Sequence, residues 1–132
     1  QAHWNSDTED NNNGYIVGHH GGYHVDLPKD INFDMRNEMV LMLENLCVPV
    51  KYHHPEVGGP GQQEIELDFD NTLVMGDRTM LVKYVVKNVA ASHGKTATFM
   101  PKTIFGEAGN GMDVHIQLYD GETPLFYEKG GY

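Results

Sequence analysis

The chain has 132 residues, with nine Lys plus Arg against nineteen Asp plus Glu and a formal net charge of −10, a size that suits one domain removing roughly two-thirds of its unfolded surface from water. An acidic surface of this kind repels phosphodiester backbones and anionic lipid, which argues against nucleic acid or a membrane as partner, yet divalent cations between carboxylates and phosphates would still admit a nucleotide. A single cysteine, no apolar run of roughly 18–20 residues and no secretory leader pattern point to the cytoplasm, and a start at Gln1 with an end at "EKGGY" reads as a piece excised from a longer protein.

Residues 1–14, "QAHWNSDTEDNNNG", form a polar loop segment, and residues 15–132 carry the folded part. After an extended stretch broken by glycines, Pro28, Lys29 and Asp30 mark a helix start. Ile31, Met35, Met39, Met42, Leu43 and Leu46 recur at steps of three and four, so they are the expected core face of a helix over 31–46. Arg36, Asn37, Glu38 and Glu44 fall on its other side, and Cys47 reads as a small buried hydrophobe at the helix end.

A short strand, "VPVKY", leads into a glycine-rich loop and then "QEIELDF". Successive strand side chains alternate faces, so Ile65, Leu67 and Phe69 are expected on the core side and Glu64, Glu66 and Asp68 on the other. A second helix is expected over 72–93, with Gly94 placed to close it in the left-handed conformation. "KTATFMP" reads as a strand, "KTIFGEAGNG" as a loop, and "MDVHIQLYDGETPLFY" as a strand, a turn and a second extended piece. In that last strand Val114, Ile116 and Leu118 share one face, and Asp113, His115 and Gln117 the other. The predicted architecture is α+β: an antiparallel sheet with two helices packed on one face.

If the two alternating strands share a sheet, Glu64, Glu66, Asp113 and His115 project from one surface, and Glu56 and His54 reach it from the loop. Clustered carboxylates repel one another unless a cation intervenes. Hard oxygen ligands with imidazole favour Mg²⁺ or Mn²⁺ over a dedicated zinc site. His54 is assigned to orienting a ligand rather than to binding the cation. His19 and His20 are read as exposed loop residues. Lys102 and the amides of "GEAGNG" suit an anion.

The segments "KYVVKNVAASHGKTATFMPK", "FGEAGNGMDVH", "HHPEVGGPGQQE", "WNS" and "GGYHVDLPKD" together resemble the central part of the catalytic domain of type I glutamine synthetase. The resemblance implies a ligase that uses ATP to phosphorylate the side-chain carboxylate of glutamate, after which ammonia displaces phosphate. It also implies two divalent cations, Mg²⁺ or Mn²⁺, and a parent protein assembled as a homo-oligomeric ring. Carried over by position, Glu56 and Glu64 are carboxylates of one metal site, Asp113 stands at a ligand of the second, Phe69 and His115 are ATP contacts, and Gly109 belongs to the glutamate-binding loop.

The chain departs from that pattern at five positions. Asp113 replaces histidine, Ala108 replaces asparagine, Gln117 replaces serine, Lys51 replaces an acidic residue and Thr103 replaces proline. Further metal carboxylates and arginines of the family lie outside the sequence. The isolated chain is therefore expected not to make glutamine, and a non-catalytic metal-binding fragment, or a diverged or designed relative, is the alternative reading.

Overall fold

A computed structural model describes residues 17–59 and 61–131, so the loop expected over 1–14 lies outside the described residues. In chain order the elements are α1 (Phe33–Asn45), β1 (Val50–Pro55), β2 (Gln63–Leu67), α2 (Thr72–Ser92), β3 (Tyr119–Asp120) and β4 (Thr123–Pro124). Strands β1 and β2 pair antiparallel, and so do β3 and β4, in two separate two-stranded sheets. The class is α+β, as the periodicities predict, and no helix among the described residues is long and apolar enough to cross a membrane.

One core joins the helices to the β1–β2 ribbon. Met39 and Leu43 from α1, Val48 from the following turn, and Val85, Val89 and Ala90 from α2 are buried together. Met35, Val50, Ile65, Leu67, Leu81 and Val82 pack against them half-buried. The expected helix face is thus narrower than its spacing suggested: Ile31, Met42 and Leu46 of the first helical stretch are exposed, as are Leu73, Met80 and Tyr84 of the second.

Helix α2 begins with Asn71, whose side chain accepts a hydrogen bond from the Val74 amide at 3.1 Å and so satisfies a backbone donor that the first turn leaves without a helical partner. It ends as predicted: Gly94 takes φ +67°, its amide donates to the Ala91 carbonyl, and the Lys95 amide donates to that of Ala90, the paired bonds of a Schellman turn. Helix α1 closes in the same way with a different residue. Cys47 adopts φ +61°, its amide donates to Glu44, and the Val48 amide donates to Leu43. The turn points Cys47 outward and tucks Val48 into the core, so the cysteine is exposed where burial was expected.

Arg36 is a second correction. Expected on the solvent side of α1, it is 2% exposed and anchors a polar network. Its guanidinium grips Asp30 through two hydrogen bonds of 3.2 and 2.7 Å, donates from Nε to His53 Nδ1 at 2.8 Å, and donates to the side-chain oxygen of Gln63. A planar, always-charged fork with several donors suits a buried role of this kind better than an ammonium would.

Two expected strands are absent among the described residues. Residues 95–100 run without ladder bonds, and side chains supply partners for the backbone instead: Thr98 Oγ1 accepts from the Met100 amide, and Asn110 donates to the Met100 carbonyl at 2.7 Å. Residues 112–118 are likewise unladdered, and Val114, Ile116 and Leu118 are each at least half exposed. Alternation describes a strand's two faces, yet a strand also needs a neighbour to complete its backbone hydrogen bonds. A neighbour is met only at the end of this stretch, where the Leu125 amide donates to the Leu118 carbonyl at 2.8 Å and Tyr119–Asp120 pairs across the Gly121–Glu122 turn.

Candidate metal centre

The end of β1 and the start of β2 face each other, with His54 opposite Glu64 and Pro55 opposite Gln63. The connecting loop keeps the pairing going, because the Glu56 amide donates to the Gln62 carbonyl at 2.8 Å and Gln62 Oε1 accepts from the Gly58 amide at 2.8 Å. Glu56 therefore leaves the ribbon beside His54 rather than trailing into solvent. A second loop, residues 18–24, lies across it: the Gly22 amide donates to Val57 and the His24 amide to Pro55. At Gly22 a Cβ would stand 2.2 Å from the Glu56 carbonyl oxygen, so only glycine allows this approach.

His54 is buried and held in an aromatic cage. Its ring stacks on His24 at 4.1 Å between centroids and meets Tyr23 edge-on at 5.4 Å. Nδ1 lies 2.9 Å from the Pro55 carbonyl oxygen. A carbonyl can only accept, so Nδ1 carries the proton and Nε2 presents its lone pair. That Nε2 is 3.8 Å from Glu64 Oε1, and Glu56 Oε1 is 3.7 Å from the ring's other nitrogen. One ligand atom from each of His54, Glu56 and Glu64 falls within 4.8 Å of the others.

Electrostatics around the ribbon split by face. Burial, together with the charges of Glu56 and Asp113, pushes the Glu64 carboxyl above its ordinary 4.5, although His54 pulls the other way. Glu66 lies lower than usual because it accepts hydrogen bonds from Lys51 and Tyr52. Its bond to Tyr52 holds that phenol up at about 12. Glu66 thus has protein partners, including Lys51 Nζ at 2.6 Å, while Glu64 bears the cost of nearby negative charge. On the helix side, burial and Arg36 lower His53 from its ordinary 6.5.

The remaining residues singled out from sequence lie outside this group of three. Asp113 acts on Glu64 through its charge but is not one of the three residues whose ligand atoms gather. His115 acts on Glu66 in the same manner, and its ring meets Phe69 edge-on at 6.4 Å. Phe69 itself is 54% exposed, so it is not the core anchor that the β2 alternation predicted. Gly109 passes close to the chain, where a Cβ would be 2.8 Å from the Pro101 carbonyl oxygen, and its own carbonyl accepts from Gln62 Nε2 at 2.8 Å. The ammonium of Lys102 donates to the Glu107 carbonyl.

Three groups escaped the sequence reading. Arg36 was assigned to the wrong face. Tyr23 and His24 were not connected with His54. His19 and His20, read as unremarkable loop residues, meet Glu107 across 88 residues of chain, with His19 Nδ1 2.5 Å from its Oε1. A histidine pair and a lone acid in a distant glycine-rich loop were the available signal for the last of these.

The family profile described as the glutamine synthetase catalytic domain matches residues 2–132. A glutamine synthetase of Streptomyces filamentosus is 49% identical over 129 residues, covering 98% of this chain and 28% of that protein. A 3-hydroxylaminophenol mutase of Cupriavidus pinatubonensis is 46% identical over 132 residues, again covering 98% and 28%. Among solved structures, a glutamine synthetase of Plasmodium falciparum superposes with a TM-score of 0.83 at 26% identity, over 95% of this chain and 24% of that one. The chain thus spans under a third of the length of the curated relatives it matches.

Proposed function

Because the chain belongs to the glutamine synthetase catalytic-domain family, we propose that Glu56 and Glu64, joined by His54 as a ligand rather than in the orienting role expected from sequence, hold a Mg²⁺ or Mn²⁺ ion serving the ATP-dependent joining of ammonia to glutamate in the whole protein. The observation that carries this reading is the gathering of an imidazole and two carboxylates within 4.8 Å. The donor set fits a hard cation that tolerates one nitrogen, Mn²⁺ above all. Two properties of the residues support the fit: Glu64 is pushed toward protonation by burial and neighbouring charge, which a cation would relieve, and His54 keeps the Nε2 lone pair that a ligand needs.

When bound, the ion would neutralise phosphate oxygens and help hold the transferring group in line. The protein's own contribution is positional. Tyr23 and His24 fix the His54 ring, Gly22 lets the second loop close over Glu56, and Lys51 with Tyr52 keeps Glu66 occupied so that it does not compete. Asp113 supplies negative charge beside Glu64 and stands ready for a second cation. His115 and Phe69 offer an imidazole and a ring face to ATP, and Gly109, its carbonyl held by Gln62 Nε2, belongs to the loop assigned to glutamate.

A relative 46% identical bears the name of a mutase, so overall similarity does not choose the reaction and the site must. The second reading, a metal-binding fragment without turnover, is favoured for the isolated chain by Ala108, which cannot replace an asparagine hydrogen bond. Calorimetry with Mn²⁺ on the wild type and on a Glu56→Ala, Glu64→Ala double variant tests the site: the heat of binding should vanish in the variant, and equal heats would refute the assignment. Phosphate release from ATP with glutamate and ammonia tests the second reading, for which the isolated chain should show none.

A further inference from the structure

The histidine pair on the 18–24 loop is exposed, yet it is tied to a buried acid. His20 takes a left-handed backbone, φ +54°, which brings its ring onto that of His19 with centroids 3.8 Å apart and planes 24° from parallel. Both rings then meet one carboxylate. His19 Nδ1 is 2.5 Å from Glu107 Oε1, and His20 Nε2 is 3.9 Å from Glu107 Oε2. Glu107 is 3% exposed, while the two histidine side chains keep 44% and 49% of their surface. The result is a carboxylate sunk at the base of a site that two imidazoles roof and solvent can reach.

We propose that His19, His20 and Glu107 form a second cation site, separate from the His54 cluster and selective for a borderline divalent metal of the Zn²⁺ class. The ligand atoms of the three already lie within 4.8 Å of one another. In a tetrahedral zinc shell with bonds of about 2.0–2.1 Å, neighbouring ligand atoms stand about 3.3 Å apart, so the 2.5 Å hydrogen bond to Oε1 would widen by about 0.8 Å and the 3.9 Å approach to Oε2 would tighten by about 0.6 Å. Two nitrogens with one oxygen select against Mg²⁺ and Ca²⁺, and three protein ligands leave a position for water.

Two neutral rings stacked at this distance tolerate each other, whereas two imidazolium ions would repel. A metal lets both nitrogens contribute lone pairs to the same buried carboxylate's partner. His20 Nε2 also lies 3.0 Å from the Gly106 carbonyl, so binding requires its proton to move to Nδ1 and the contact to Gly106 to be given up, and the proton that His19 Nδ1 shares with Glu107 Oε1 must likewise pass to His19 Nε2 or to solvent. The consequence is a clamp: the ion would tie the 18–24 loop, which covers Glu56, to the loop of Glu107, Ala108 and Gly109.

Zn²⁺ titration of the whole chain, in excess Mg²⁺, tests the site by calorimetry on the wild type, on His20→Gln and on a Glu56→Gln, Glu64→Gln double variant. The His20→Gln change should weaken one Zn²⁺ equivalent by at least the about 10–100-fold that loss of a merely supporting group costs, and the double variant should keep that equivalent. Side-chain ¹⁵N spectra of the unmodified chain read the same site without any substitution, with His19 and His20 signals shifting on Zn²⁺ addition. An unchanged Zn²⁺ isotherm in His20→Gln, or His19 and His20 signals that ignore Zn²⁺, would overturn the proposal whatever the fate of the His54 cluster.

Discussion

The β1–β2 ribbon carries a polar cluster on each of its faces, and the two are made in opposite ways. Toward the helices, Arg36 meets Asp30, His53 and Gln63, so a buried cation is matched by a carboxylate and by acceptors from both strands. Away from them, His54, Glu56 and Glu64 gather two carboxylates with one imidazole and no basic side chain between them. The first cluster closes its own charges and holds structure together. The second leaves negative charge in excess, and such excess belongs to a place where a ligand supplies the balance.

If that contrast is right, deleting charge should act with opposite signs on the two faces. The largest effect is expected for Arg36→Ala, which strands Asp30 at 5% exposure; breaking a buried pair on one side costs about 3–5 kcal/mol, readable as a lower urea midpoint. Leu43→Ala, at 0% exposure, provides the apolar reference between the faces and should cost about 2–5 kcal/mol. On the open face, Glu64→Gln should leave the metal-free chain as stable or slightly more so, by a few tenths of a kcal/mol as for other partly exposed charges, while removing the rise in Tm that Mn²⁺ produces in the wild type. A large loss of metal-free stability in Glu64→Gln would erase the distinction.

The pH dependence sharpens the same comparison at the smallest scale. His53 titrates below its ordinary 6.5, so the unfolded chain binds more protons just below that value, and its contribution is lost as pH falls from there toward the folded value. Glu64 titrates above its ordinary 4.5, so the folded chain binds more protons, and its contribution falls as pH rises through the window just above that value. Urea midpoints between pH 4 and pH 7 should therefore show the His53 slope disappear in His53→Gln and the Glu64 slope disappear in Glu64→Gln. Saturating Mn²⁺ should reverse the second slope, since protons and cation compete for the same oxygens.

Both helices were legible because local rules govern them: periodic apolar residues, Asn71 at one end and Gly94 at the other. Strand β2 was legible because Ile65 and Leu67 do face the core. Residues 95–100 and 113–118 were not, since a strand is defined by its neighbour and alternation in Val114, Ile116 and Leu118 says nothing about whether one is present. Arg36 was misplaced for a related reason. Its charge suggests solvent, and only the arrival of Asp30, His53 and Gln63 from elsewhere in the chain makes burial affordable. For the candidate site, the proximity of Glu56 and Glu64 to His54 could be read from their spacing around one loop, whereas the partnership of His19 and His20 with Glu107 depends on two loops that meet only in three dimensions.

The hydrogen bond from Arg36 to His53 has one more implication, which concerns pairing error. Two histidines stand in a row, so a one-residue slip of β1 against β2 would still offer an imidazole to Glu64 and could pass for the correct site. Register slips exchange the faces of a strand wholesale. By capturing His53 on the helix side, together with Gln63 opposite Pro55, Arg36 makes the two histidines inequivalent and lets the ribbon zip in one alignment only.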